Sequence, residues 1–216
     1  MTTATKRNIS MAGLLILWFA AAYVLGTGHY MANDQQSFLA PIILSVALPV
    51  AIFLAAYGLW RPFRAFVLSQ DIRTLTMLQG WRVIGFGFLL LYFFDVLPGI
   101  FAWPAGLGDV AIGLMAPILV LRLNRDPDAA PSSGLIWFHL AGMLDFLVAA
   151  GTAMLASGAF PALIPSGLTS AQMDVWPLSL FPSFIVPVFI ILHLSVLFKI
   201  RHLRRSALPT LAPAHA

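Results

Sequence analysis

Six long apolar stretches occupy most of this chain, and five ionisable or imidazole side chains sit well inside them: Arg82, Asp109, His139, Asp145 and His193. About 20 apolar residues suffice to cross the hydrocarbon core of a bilayer as a helix. A charge at the centre of such a segment costs about 2.5–3.5 kcal/mol even on the lenient insertion scale, so these five side chains must face protein or water. The pattern predicts an all-α polytopic membrane protein, a bundle of six transmembrane helices. The spans are expected at about 9–26, 38–60, 77–97, 104–123, 134–156 and 180–200.

Composition agrees with that reading. The chain is 60% hydrophobic and only 9% charged, with a mean hydropathy of +0.92, outside the range of soluble domains. With residues 1–206 forming the bundle and 207–216, which carry Pro209 and Pro213, expected to be a disordered tail, no soluble catalytic domain fits. The absence of cysteine excludes thiolate metal sites, iron–sulfur clusters and disulfide exchange. Glutamate is absent too, so every carboxylate side chain is an aspartate. The sequence pI near 10.0 reflects basic residues at helix ends, and no nucleic-acid partner is expected.

Those basic residues set an orientation. Lys6 and Arg7 precede the first span; Arg61, Arg64 and Arg73 lie between the second and third; Arg122 and Arg125 end the fourth; Lys199, Arg201, Arg204 and Arg205 end the sixth. The intervening segments on the other side, His29 to Ser37, Pro98 to Trp103 and Ser157 to Ser179, contain no lysine or arginine. By the positive-inside rule both termini are cytoplasmic, as in a multi-pass protein of a bacterial inner membrane. Trp60, Trp81, Trp103, Trp137 and Trp176 fall near the expected boundaries, as an aromatic belt would place them. The first span resembles a signal peptide with Ala20-Ala21-Ala22 as a cleavage site, but bulky Trp18 and Tyr23 and the length of the apolar run favour an uncleaved anchor.

Three connectors have character of their own. Pro98 to Trp103 reads as a tight apolar turn joining the third and fourth spans. Arg61 to Leu75 carries Phe63, Phe66, Val67 and Leu68 among its arginines, and reads either as an amphipathic segment on anionic lipid or as a plain loop. Ser157 to Ser179 is either a lid over the bundle mouth or a connector resting in the interface. Pro49 and Pro187 should bend their helices, whereas Pro182 suits a first turn.

The interior polar residues carry the functional expectations. Asp109 is flanked by Ala105 and Gly113, and Asp145 by Ala141 and Ala149, four residues either way, so each carboxylate shares a helix face with small residues on which another helix packs. Helical rise puts Asp145 about 16 Å above the inner boundary, Asp109 about 7–8 Å below the outer one, and Arg82 about 7–8 Å above the inner one. Asp145 is then either a proton or cation carrier, because a carboxylate out of water resists ionisation, or a structural partner of Arg82. Asp95 is either an interfacial residue or a neighbour of Asp109 across the hairpin, within reach of Tyr92.

His139 and His193 have similar depth on consecutive helices, as two axial ligands of one haem b would need. Serine, aspartate or backbone partners are the alternative, and a zinc site lacks a third ligand at suitable spacing. Phosphate-binding, metalloprotease and nucleophile-elbow motifs are all missing, so an enzyme is the less favoured reading. The leading expectation is a bundle that binds or passes a small solute, cation or proton through Arg82, Asp95, Asp109, Asp145, His139 and His193. The alternatives are a single-haem membrane protein, or a non-catalytic assembly subunit in a homo- or hetero-oligomer.

Overall fold

The structure, a computed structural model, describes residues 3–31, 41–126, 132–158 and 167–206. Those residues are helical with no strand, and six helices are long and apolar enough to cross a membrane: Ile9–Thr27, Pro41–Leu59, Ile72–Phe93, Gly99–Arg125, Ser133–Leu155 and Phe181–Ser206. The expected tail at 207–216 and the stretch 38–40 of the second expected span lie outside the described residues.

In chain order the α-helices are α1 (Thr3–Thr27), α2 (Pro41–Leu59), α3 (Arg61–Ser69), α4 (Ile72–Leu78), α5 (Phe86–Phe93), α6 (Gly99–Arg125), α7 (Ser133–Leu155) and α8 (Val186–Ser206). A 3₁₀ segment, Gln79–Gly85, joins α4 to α5, so the third span is three pieces stacked end to end. A π-turn, Phe181–Ile185, leads into α8.

Burial separates a core from a periphery. The most apolar windows of the first two spans are 11% and 6% buried, against 28–39% for the other four, which pack on one another. Inside that four-span core two apolar clusters sit at opposite ends. One joins Ile72, Leu75, Ile112, Leu123, Leu135 and Val196; the other joins Phe88, Leu97, Phe101, Ala105, Ala156 and Met173. The buried polar residues Gln79, Arg82, His139 and His193 belong to neither cluster.

The third span ends at Phe93 rather than 97 and the sixth at Ser206 rather than 200; the starts of the third and fourth also differ from expectation, and both have local causes. The third span begins at Ile72 rather than near 77, because Asp71 caps it: Oδ2 accepts from the Thr74 amide and hydroxyl, each at 2.9 Å. Partial burial pushes the Asp71 carboxyl up, but those hydrogen bonds win and hold it below its ordinary value. The fourth span begins at Gly99 rather than Pro104. Pro98 occupies the N-cap and its carbonyl accepts from Phe101 and Ala102, so the expected turn is helix and the chain reverses at Phe94–Leu97 instead. Asp95 takes the left-handed conformation there (φ 55°) and is exposed. Trp81 consequently falls in mid-span, 71% exposed, rather than at a boundary.

The outer helices attach by aromatic and backbone contacts. Pro187 has no N–H to give the Ser183 carbonyl, and that carbonyl accepts Trp18 Nε1–H from α1 instead, at 3.1 Å. Phe184 takes edge contacts from Trp18 and Phe19. On α3, Arg64 donates to the last carbonyls of α2, Tyr57 and Gly58, completing that C-terminus. Helix α3 is therefore an ordered amphipathic connector, with Val67 buried and Lys199 of α8 donating to the Gln70 carbonyl beside it.

Of the connector Ser157 to Ser179, residues 159–166 lie outside the described residues, and the stretch from Gly167 packs on one end of the core. Ser170 bonds back through its amide to Ala156 and through its hydroxyl to Ala153, and Met173 enters the apolar cluster. In the same 3₁₀ turn, burial pushes the Asp174 carboxyl up to about 6. A carboxyl whose folded value is raised keeps its proton longer when folded than when unfolded, so its contribution to stability is present at low pH and is lost as pH rises through about 6. Thermal unfolding of Asp174→Asn in detergent should therefore match the wild type at about pH 3 and exceed it at about pH 8.

Candidate functional site

The third span carries a three-residue spacing, Thr76, Gln79, Arg82 and Gly85; the last three lie on the 3₁₀ segment, whose 3.0 residues per turn set them one above another, and Thr76 precedes them by about one turn at the end of α4. All four are buried. The inward ridge thus reads hydroxyl, amide, guanidinium, then a gap. Arg82 stands at the middle of this 22-residue span, deeper than expected because the span starts earlier. The earlier start of α6 places Asp109 deeper in the same way.

Arg82 is fully buried and gathers the core around it. Nε donates to Asp109 Oδ1 on α6 at 2.7 Å, and Nη2 to Asp145 Oδ2 on α7. Nη1 donates to the Gly142 carbonyl at 3.2 Å and to His193 Nε2 on α8 at 3.1 Å. The guanidinium carbon stands 4.0 Å from the centre of the Phe146 ring. Asp109 and Asp145 keep 14% and 11% of their side-chain surface, so the cluster is closed but not sealed.

Close approach here depends on missing side chains. A Cβ on Gly108 would collide with the Asp145 carboxylate, one on Gly142 with the His193 imidazole, and one on Gly85 with the Asp109 carboxyl. The packing seam of α7 runs through Leu135, Phe138, His139, Gly142 and Phe146; Ala141, expected on the packed face, is exposed. On α6, Ala105 and Gly113 are buried as the small-residue pattern implies.

A hydrogen-bonded chain leaves the cluster. His193 Nδ1 lies 2.8 Å from His139 Nδ1, and His139 Nε2 lies 3.4 Å from Thr76 Oγ1. Arginine only donates, so His193 Nε2 accepts; for neutral rings we assign the proton of His193 to Nδ1, facing His139 Nδ1, and that of His139 to Nε2, facing Thr76. The single hydrogen bond from Arg82 to His193 thereby fixes the polarity of the whole chain.

These contacts do not fit the haem alternative. Axial ligands approach the iron from opposite faces with the macrocycle between them, whereas these imidazoles touch, their centroids 5.0 Å apart. Their Nε2 atoms are engaged by Thr76 and Arg82. Among the described residues no three histidine, cysteine, aspartate or glutamate side chains are grouped to hold a metal ion. The expected approach of Asp95 to Asp109 does not occur, since Asp109 turns to Arg82 and Asp95 lies in the exposed turn. The serine or aspartate partners expected for the histidines as the alternative are not found on their own helices: Ser195 bonds Ile191 of α8, and Asp145 turns to Arg82.

Thr76, Gln79, Gly142 and Phe146 join the site without having been singled out from sequence. The three-residue spacing of Thr76 and Gln79 from Arg82 was the available signal. Gln79 is fully buried, its Nε2 donates to the Phe189 carbonyl at 3.3 Å, and its Oε1 has no partner among the described residues.

Gly108→Ala and Gly142→Ala should each lower unfolding stability in detergent by about 1–3 kcal/mol, the usual cost of forcing atoms into a filled interior. Gly151→Ala, on the same helix as Gly142 with open space around it, should be neutral or stabilising.

A family model described as a domain of unknown function, DUF8737, matches residues 37–201, which include five of the six apolar helices and leave α1 outside. No match is found among curated proteins or among solved structures. With that match covering most of its length, the chain belongs to the DUF8737 family.

Proposed function

We propose that the chain is a multi-pass protein of a cell membrane, with both termini cytoplasmic as the distribution of its basic residues implies, and that its interior binds and passes a proton. One observation carries this reading: two carboxylates, Asp109 and Asp145, meet a single guanidinium in the middle of an apolar bundle. Fully ionised, the three groups hold one uncompensated negative charge, which an apolar interior tolerates poorly. A proton shared by the two carboxyl groups removes that charge and needs no space in a region filled by side chains. A small cation would serve the same balance but requires room and further oxygen ligands.

The histidine pair supplies a route and a switch. His193 Nε2 accepts a hydrogen bond from Arg82, so it cannot hold a proton there while that contact lasts. A proton that leaves the carboxyl pair for His193 Nε2 displaces the Arg82 donor from that nitrogen, and the tautomers assigned above pass a proton on: His193 Nδ1–H moves to His139 Nδ1, and the His139 Nε2 proton leaves toward Thr76. The buried, unpartnered Gln79 Oε1 offers one more acceptor next to this path.

The second reading, an assembly subunit in which the same groups only hold helices together, is favoured by the complete burial of Arg82, His139 and His193. Proton flux separates the two. In liposomes with an entrapped pH dye and a potassium diffusion potential, the wild type should acidify or alkalinise the lumen according to the sign of the potential. Asp145→Asn and His193→Gln should fall to the background of empty liposomes while keeping wild-type helicity and a monodisperse elution. Absence of flux in the wild type, or undiminished flux in both folded variants, would overturn the proton reading.

A further inference from the structure

At the basic end of the bundle, the last turns of α8 and the first turn of α7 enclose a groove of about 290 Å³, remote from the Arg82 cluster. Its floor is apolar, made by Ile136, Leu197 and buried Ile200, and its rim is Arg201, Arg204 and Arg205, all exposed. Among the described residues no acidic side chain lines it. Ile136 belongs to the first turn of α7, whose positive dipole end offsets the negative end of α8 beside Arg204 and Arg205 and leaves the three guanidinium groups to set the sign. Such a concentration of one sign favours an anion at the rim.

The surroundings say which kind of anion. From Ile136 a stripe of exposed apolar residues continues along α7 at helical spacing: Leu140, Leu144 and Leu147, 41%, 60% and 70% exposed. An anionic head at the arginines thus lies next to a continuous apolar track. A free phosphate would use the rim and leave the floor uncovered, whereas a lipid uses both.

We infer that this groove binds one anionic glycerophospholipid, its phosphate held among Arg201, Arg204 and Arg205 and an acyl chain laid over Ile136 and Leu197 toward Leu140 and Leu144. Guanidinium forks match phosphate oxygens in bidentate geometry, and a zwitterionic headgroup would bring an ammonium against three like charges. The inference uses the membrane placement proposed above and is independent of the proton path.

Native mass spectrometry of the full chain in detergent, titrated with phosphatidylglycerol, phosphatidylcholine or soluble glycerol phosphate, tests it. One phosphatidylglycerol should bind about tenfold more tightly than phosphatidylcholine, the scale expected of arginines close to a lipid phosphate. Glycerol phosphate should not be retained. Replacing Arg201, Arg204 and Arg205 together by Gln should abolish the preference. A control replacing Arg61, Arg122 and Arg125 by Gln, which removes the same charge from other basic helix ends, should keep it. Leu197→Trp, which fills the floor without changing charge, should weaken phosphatidylglycerol binding. Equal loss of preference in the two triple variants would make the effect a diffuse surface attraction, and retention of glycerol phosphate as strong as that of the lipid would make the rim a free-anion site; either result overturns the assignment.

Discussion

A guanidinium inside an apolar bundle is tolerated only if its N–H groups find acceptors, and those of Arg82 find four on three other helices. That requirement organises the core. Asp109 draws in α6, Asp145 and the Gly142 carbonyl draw in α7, and His193 draws in α8. No other described side chain ties together as many helices by hydrogen bonds. The energetic logic is conditional: replacing such a cluster wholesale by apolar residues is often neutral or stabilising, but removing one member leaves buried charge uncompensated.

The rest of the core makes this arrangement possible. Apolar clusters at either end exclude water and hold the helices in register. Glycines at 85, 108 and 142 let backbone approach where the carboxylates and imidazole need space. The 3₁₀ geometry of Gln79–Gly85 matters equally, because an α-helical third span would swing Thr76 and Gln79 progressively away from the face that carries Arg82. One ridge thereby presents Thr76 to His139 and Arg82 to His193, and the two histidines close the circuit between them.

Much of this was legible in the sequence, for reasons that differ by element. Six apolar runs announce six helices because a bilayer-length segment has few alternatives, and the meeting of Arg82 with Asp145 follows from the cost of leaving either alone. The start of the third span was hidden because Asp71, Arg73 and Thr74 look like loop composition, although an aspartate three residues before a threonine is a helix cap. Pro98-Gly99 looked like a turn, yet proline suits the entry to a helix as well. Both misplacements left Arg82 and Asp109 too shallow, which obscured their contact. Similar depth of His139 and His193 is legible from their positions on consecutive helices, but depth alone does not say what the rings face; their 2.8 Å contact needs the structure.

The claim on which everything else rests is that Arg82 pairs with both aspartates and so holds four spans together. It is tested most directly by unfolding in detergent of Arg82→Met beside a triple variant, Arg82→Met with Asp109→Asn and Asp145→Asn. The single variant should lose about 3–5 kcal/mol, the cost of stranding a buried charge, and the triple variant should recover most of that loss. An Arg82→Met protein as stable as the wild type, or a triple variant no more stable than the single one, would contradict the account.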